Sequence, residues 1–185
     1  MKKCILHTIG WVFLICFICP FNCSAEKYTP LACGFSLRDQ YGKIYEITYP
    51  REKVCILVFA DKWGCTQVEG WVRPLYEKYG DKITILGVAQ LENVPRWLKS
   101  TITRIFKHTI KFPVMMDWTG NVSRAYEYTG RKAYVVIISR EGNIQYWVDG
   151  RASEKLLRKC CGAINNLKPG VLNSDFPENP KVKKN

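Results

Sequence analysis

The stretch FADKWGCTQV, residues 59–68, sets one cysteine between two apolar runs of different period. Before it, KVCILVFA is continuous and rich in branched residues; after it, Val68, Trp71, Val72, Leu75 and Tyr79 recur at helical spacing. Cys65 therefore stands at a strand-to-helix turn. The thiolate is the reactive form of a cysteine, and a helix N-terminus or a nearby cation favours it. The sequence offers both in prospect, the first amides of the coming helix and Lys62 three residues upstream. Attack on a peroxide would leave a sulfenic acid and attack on a disulfide a mixed disulfide, so a second thiol must close either cycle. The plain alternative is a small buried hydrophobe. A position outside both apolar runs favours the reactive thiol.

Second thiols are few. Lys2 and Lys3, the apolar run from Ile9 to Cys19 and the small residues Cys23, Ser24 and Ala25 form the pattern of a signal peptide cleaved near Ala25. The run is too short for a permanent membrane span of about 20 residues, so export to the periplasm or the medium is expected. Four of the nine cysteines leave with this segment. The other five are Cys33, Cys55, Cys65, Cys160 and Cys161, in a compartment where disulfides persist, and an odd number leaves at least one thiol unpaired. Cys55 lies inside the strand run, and Cys160 and Cys161 lie on the apolar stripe of the last helix. A structural bridge from one of that pair to Cys33 or Cys55 is expected, given Cα atoms within about 7 Å. His108 has no cysteine or carboxylate at ligand spacing, so neither metal nor cofactor is expected.

The elements that must position Cys65 follow from periodicity. FSLRDQYGKIYEI alternates on both sides of Asp39–Gly42 and reads as a hairpin, and KVCILVFA reads as the central strand of a sheet covered on both faces. The helix after Cys65 contains Pro74, which should kink it. KITILGVAQ is a second buried strand. Val94, Trp97, Leu98, Thr101, Ile102, Ile105 and Phe106 then predict an amphipathic helix, with Asn93 as its cap and Pro95 in its first turn. KFPVMMD is extended, a short helix covers Val122 to Tyr128, and AYVVIIS, REGN and IQYWVDG form an antiparallel hairpin. A last helix starts near Ser153. Trp63, Trp71 and Trp97 read as core or rim aromatics. This order predicts an α/β domain over residues 31–168, a mixed sheet with helices on both faces, and a flexible basic tail over 169–185.

In order and spacing these segments resemble the redoxins of the thioredoxin-fold superfamily, the exported thiol-disulfide oxidoreductases and peroxiredoxins. The resemblance covers about Cys33 to Leu167. It rests on the opening hairpin, VCILVFADKWGC, YEKYGDKITILGVAQ, FPVMMDWTGNVSRAYEY and the closing hairpin. It implies a thioredoxin-like three-layer sandwich, a central mixed sheet with helices on both faces and an N-terminal hairpin. The oxidoreductases of the group carry Trp-Cys-x-x-Cys; here Val68 stands where the second cysteine would be. Their cis-proline before the closing hairpin has Ala133 nearest to its position. Gly64–Thr66 is similar to a peroxidatic turn, but Lys62 stands where that family has Thr or Ser, Val58 where it has proline, and Arg131 about two residues from its arginine.

The residues and the resemblance together single out Cys65 as the candidate catalytic residue, with Lys62, Trp63, Thr66 and Arg131 as supporting residues. The function it implies is a single-cysteine oxidoreductase acting on peroxides or on protein or small-molecule disulfides; the alternative is a non-catalytic binding module on the same fold. Losing Lys2 and Lys3 takes the formal charge from +12 to +10, which gives some affinity for anionic surfaces by field alone. The basic residues are spread along the chain apart from KVKKN at its end, so solvated faces and a basic tail are expected rather than a nucleic-acid groove.

Overall fold

A computed structural model describes residues 30–167. The signal peptide with its cleavage near Ala25 and the tail 169–185 lie outside the described residues. Strands β1 (Phe35–Arg38) and β2 (Ile44–Ile47) form the opening hairpin, paired from Phe35 with Ile47 to Arg38 with Ile44. Five further strands make the central sheet: β3 (Val54–Ala60), β4 (Ile83–Gln90), β5 (Val114–Asp117), β6 (Tyr134–Ile138) and β7 (Ile144–Asp149). Their order is β5-β4-β3-β6-β7. β4 runs parallel to both β3 and β5, whereas β6 is antiparallel to β3 and β7, so the sheet is mixed. The apolar run KVCILVFA occupies the middle, as its burial on both faces requires.

Alternation along β3 divides the core. Cys55, Leu57 and Phe59 face one side with Val88, Met115 and Val136, under Val122 and Tyr126 at helix α3 (Asn121–Ala125) and the hairpin residues Phe35 and Ile47. Val54, Ile56 and Val58 face the other, against Trp71 and Leu75 of α1 (Cys65–Tyr79) and Cys160 and Ile164 of α4 (Glu154–Asn166). Helix α2 (Lys99–Thr109) shares this second side. It packs Ile102 and Phe106 on Ala89 and Met116, which alternate with the Val88 and Met115 of the first. The three layers are therefore unequal, with α1, α2 and α4 on one face and α3 with the hairpin on the other.

Two expectations give way here. The second helix begins neither at an Asn93 cap nor with Pro95 in its first turn. Pro95 precedes a short 3-10 segment, Arg96–Leu98, and the α-helix starts only at Lys99. The amide of Val94 bonds the Leu91 carbonyl instead, which holds Asn93 in the turn before the helix. The bridge from Cys160 or Cys161 to Cys33 or Cys55 is absent as well: all five cysteines among the described residues are unpaired. Cys55 and Cys160 sit in cores on opposite faces of the sheet, and no disulfide crosses a sheet. Of the tryptophans, Trp71 is buried with its indole N–H donating to the Gly150 carbonyl at 2.8 Å, while Trp97 lies open.

Gln40 locks the hairpin to the sheet edge. Its Nε2 donates to the carbonyls of Phe112 (2.8 Å) and Ile110 (3.4 Å), and its Oε1 accepts the Val114 amide at 2.8 Å. The side chain is buried, so its loss leaves backbone groups without partners. Gln40→Ala should therefore lower stability by about 2–3 kcal/mol in urea unfolding. A loss within about 0.5 kcal/mol, the range of ordinary surface substitutions, would show that water replaces it.

Candidate functional site

At the carboxyl end of β3 the chain turns through residues 61–64 into α1, and Asp61 organises that turn. Its Oδ1 accepts the amides of Trp63 (2.9 Å) and Gly64 (2.8 Å), and its Oδ2 accepts the amide of Arg131 (2.9 Å) from the loop before β6. Its own amide donates to Tyr128 Oη at 2.9 Å, and its carbonyl accepts the Cys65 amide at 3.0 Å. The Tyr128 hydroxyl donates onward to the Lys132 carbonyl at 2.9 Å. Partial burial works against the Asp61 charge, but the N–H groups of Arg131, Gly64 and Trp63 outweigh it and hold the carboxyl below its ordinary value of 3.8.

Gly64 and Ala133 form the other contact between these loops. A Cβ on Gly64 would come within 2.6 Å of the Lys132 carbonyl carbon and oxygen and 2.9 Å of the Ala133 nitrogen. Only glycine lets the two backbones approach this closely. Ala133 thus faces the cysteine turn, as the resemblance implies for that position. Its peptide is trans, since the cis peptide among the described residues is Tyr49–Pro50. Its amide donates to Gln67 Oε1 at 3.2 Å, a bond that proline could not make.

Cys65 is the first residue of α1 and is exposed. Its Sγ lies 3.2 Å from the Lys62 carbonyl oxygen, placed to donate the thiol hydrogen there. The helix N-terminus is less open than the sequence implies. The Cys65 amide is taken by the Asp61 carbonyl, and the Gln67 amide by the Gly64 carbonyl at 2.9 Å. The Lys62 ammonium rests over the Trp63 ring, 4.8 Å from its centroid. Thr66 is exposed beside the thiol. Arg131 serves the turn through its backbone, at a left-handed φ of 68°, and its side chain lines with Trp63 an open recess of about 400 Å³.

Among the described residues no second cysteine is placed to resolve Cys65. Cys55 is near the start of β3, five residues and about 16 Å of strand before the turn, with burial pushing its thiol up to about 11. The Cys161 carbonyl accepts the hydroxyl of Tyr79 at 3.1 Å, at the far end of α1 and about 21 Å of helix from Cys65. Cys160, beside it, is likewise pushed up to about 11 by burial. Cys33 lies on the other face of the sheet, its carbonyl accepting the hydroxyl of Tyr126 at 2.7 Å. Val68 fills the second-cysteine position and packs into the core between the sheet, α1 and α4.

Sequence reasoning names Cys65, Trp63 and Ala133 as candidates and passes over Asp61, Gln67 and Tyr128, whose hydrogen bonds hold the turn. A signal for Asp61 is present in the sequence: an Asp three residues before a helix cap is a frequent acceptor for turn amides. Gln67 and Tyr128 carry none, because their partners lie 66 and 67 residues away.

An open mixed sheet with a cysteine at the first crossover defines a thioredoxin-like α/β protein of the redoxin class. More particularly, the chain belongs to the AhpC/TSA family, whose profile matches residues 30–147. Among curated proteins none matches the chain. Solved structures share its fold at low identity. The exposed lipoprotein thioredoxin Etrx1 of Streptococcus pneumoniae superposes with a TM-score of 0.58 at 18% identity, over 70% of this chain and 98% of that one. A thiol:disulfide interchange protein of the thioredoxin family from Chlorobium tepidum gives 0.54 at 21%, over 75% and 99%. A secreted Mycobacterium tuberculosis disulfide oxidoreductase, homologous to E. coli DsbE, gives 0.51 at 15%, over 72% and 96%.

Because the folded carboxyl of Asp61 titrates below its ordinary value, its contribution is present above pH 3.8 and lost as pH falls through the lower folded value. The stability difference between the wild type and Asp61→Asn should be flat from about pH 7 to 5 and shrink below about pH 4. Chemical denaturation across that range measures it, and a difference that does not change with pH would rule out the charge. Gly64→Ala, which forces the two loop backbones apart, should cost about 1–3 kcal/mol in the same assay despite the better helix propensity of alanine.

Proposed function

We propose that this chain is an exported thiol oxidoreductase that acts through the single cysteine Cys65, and that its reaction is disulfide exchange rather than peroxide reduction. One observation carries the reading: an exposed thiol at the first residue of α1, on a turn held by Asp61. Export is supported by Lys2 and Lys3 ahead of the apolar run to Cys19 and by the small residues through Ala25. Among the described residues no helix is long and apolar enough to cross a membrane.

In the first step the Cys65 thiolate attacks one sulfur of a substrate R–S–S–R′. The S–S bond breaks, R′S⁻ leaves with the electron pair and takes up a proton, and Cys65–S–S–R forms. An incoming thiolate then attacks the substrate sulfur of this mixed disulfide, forms a new R–S–S bond and returns Cys65 as thiolate. The incoming thiol belongs to a second molecule, because among the described cysteines Cys55 and Cys160 are buried, Cys161 sits at the far end of α1 and Cys33 lies at Tyr126 on the other face of the sheet. Trp63 and Arg131 supply the open recess beside the turn on which a peptide disulfide rests. Reduction of a peroxide calls for donors around the departing oxygen. Position 62, where the peroxidatic resemblance has a hydroxyl, holds a lysine seated on Trp63.

A second reading is supported by Val68 in the core and by the Ala133 amide tied to Gln67: a binding module on the same face, with turnover lost. The two separate by experiment. Under disulfide exchange, Cys65 is the fastest of the five described thiols to be alkylated near neutral pH, read by site-resolved mass spectrometry. With a slight excess of glutathione disulfide it accumulates a mixed disulfide that an added thiol discharges. Labelling of Cys65 as slow as that of Cys55, with no adduct, would leave only the binding module. Sulfenic acid at Cys65 under limiting peroxide, formed faster than the disulfide adduct, would reverse the order of substrates.

A further inference from the structure

From Val94 to Phe112 the chain contains no Asp or Glu, yet it carries Arg96, Lys99, Arg104, Lys107 and Lys111 together with His108. Helix α2 lies in this segment and turns Ile102 and Phe106 inward onto Ala89, Leu91 and Met116. Its outward side shows two things at once. Arg96, Arg104, Lys107 and Lys111 are exposed, and none of them is in an ion pair among the described residues. Lys99 is set aside, its ammonium 5.1 Å from the centre of the Trp118 ring. Beside these charges stand Trp97 and Phe112, each 77% exposed, and Ile105, 50% exposed.

The apolar display is built rather than incidental. Phe112 is presented on a backbone pinned by the buried Gln40, which bonds its carbonyl at 2.8 Å and the flanking Val114 amide at 2.8 Å. The next residue of the hairpin, Tyr41, is also exposed and extends the apolar rim. Leaving an indole and a phenyl ring open to water forgoes burial that a neighbouring surface would restore.

We infer that the outer face of α2, with Trp97 and Phe112 at its two ends, docks the protein on the surface of an anionic lipid bilayer. Charge complementarity selects the occupant: a cluster of uncompensated Lys and Arg is attracted by acidic headgroups. Trp97, Ile105 and Phe112 enter the boundary between headgroups and acyl chains, where tryptophan is at home. A nucleic-acid backbone would use the cations but gains nothing from Ile105. The surface is separate from the cysteine turn, and this inference stands whether or not Cys65 exchanges disulfides.

The test is co-sedimentation of the full chain with phosphatidylcholine vesicles, with and without one-third phosphatidylglycerol. Three variants are compared, each with its fold checked by circular dichroism: Trp97→Ser with Phe112→Ser; Arg104→Glu with Lys107→Glu and Lys111→Glu; and, in the tail, Lys181→Glu with Lys183→Glu and Lys184→Glu. The partition gained on adding the anionic lipid should fall by about tenfold or more in each of the first two and persist in the third. No gain for the wild type, an unchanged gain in either α2 variant, or a loss confined to the tail variant would overturn the inference. So would equal capture by soluble polyphosphate with no effect of the Trp97 and Phe112 substitutions.

Discussion

The geometry of the site depends on one carboxylate collecting backbone N–H groups from two loops. Asp61 takes the amides of Trp63 and Gly64 from its own turn and that of Arg131 from the loop before β6. Each bond has an ionised acceptor, the class of hydrogen bond worth about twice a neutral one. Together they set the angle at which β3 hands the chain to α1, and so the direction in which Cys65 leaves the sheet. Tyr128, accepting the Asp61 amide and donating to the Lys132 carbonyl, fastens the same two loops from the side of the aromatic core. Its ring packs on Phe59 and Tyr134, and Phe59 packs in turn on Tyr126, with ring centroids 5.3–6.1 Å apart, so the polar junction rests on an apolar bed.

That junction also explains how the site accommodates its two departures from the dithiol pattern. With alanine at position 133 the backbone regains an N–H facing the turn, and a buried donor without a partner is costly. Gln67, in the first turn of α1, supplies the acceptor. With valine at position 68 the first turn loses a thiol and gains an apolar contact with the core between the sheet and α4. Both substitutions are satisfied locally, and the close approach of Gly64 to the Lys132–Ala133 peptide is kept. What remains is a turn that presents the exposed Cys65 thiol at the first residue of α1.

The two faces of α2 belong to different neighbourhoods. Its inner face completes the hydrophobic cover of β4 and β5, while its outer face carries charge and open aromatic surface. A helix with that distribution satisfies the fold with one side and leaves the other available for an interface.

The order of elements was legible in the sequence because periodicity is local. The buried run of β3, the helical spacing from Val68 to Tyr79 and the closing hairpin all place Cys65 at the carboxyl rim of a mixed sheet. The start of α2 is not legible in the sequence, because Pro95 suits both a first helical turn and the residue before one, and only the Leu91–Val94 turn decides between them. Spacing alone suggests a core or rim position for Trp97, yet it lies exposed in the 3-10 segment. The expected disulfide failed because sequence carries no information on which face of the sheet Cys55 and Cys160 occupy. By itself, then, the sequence determined the fold class and the place of Cys65 at the carboxyl rim of the sheet, since both follow from residue types and near-neighbour spacing. Tertiary structure alone decided which groups tie that turn to the loop before β6, because Asp61 and Arg131, Asp61 and Tyr128, and Gln67 and Ala133 become neighbours only when β6 pairs with β3.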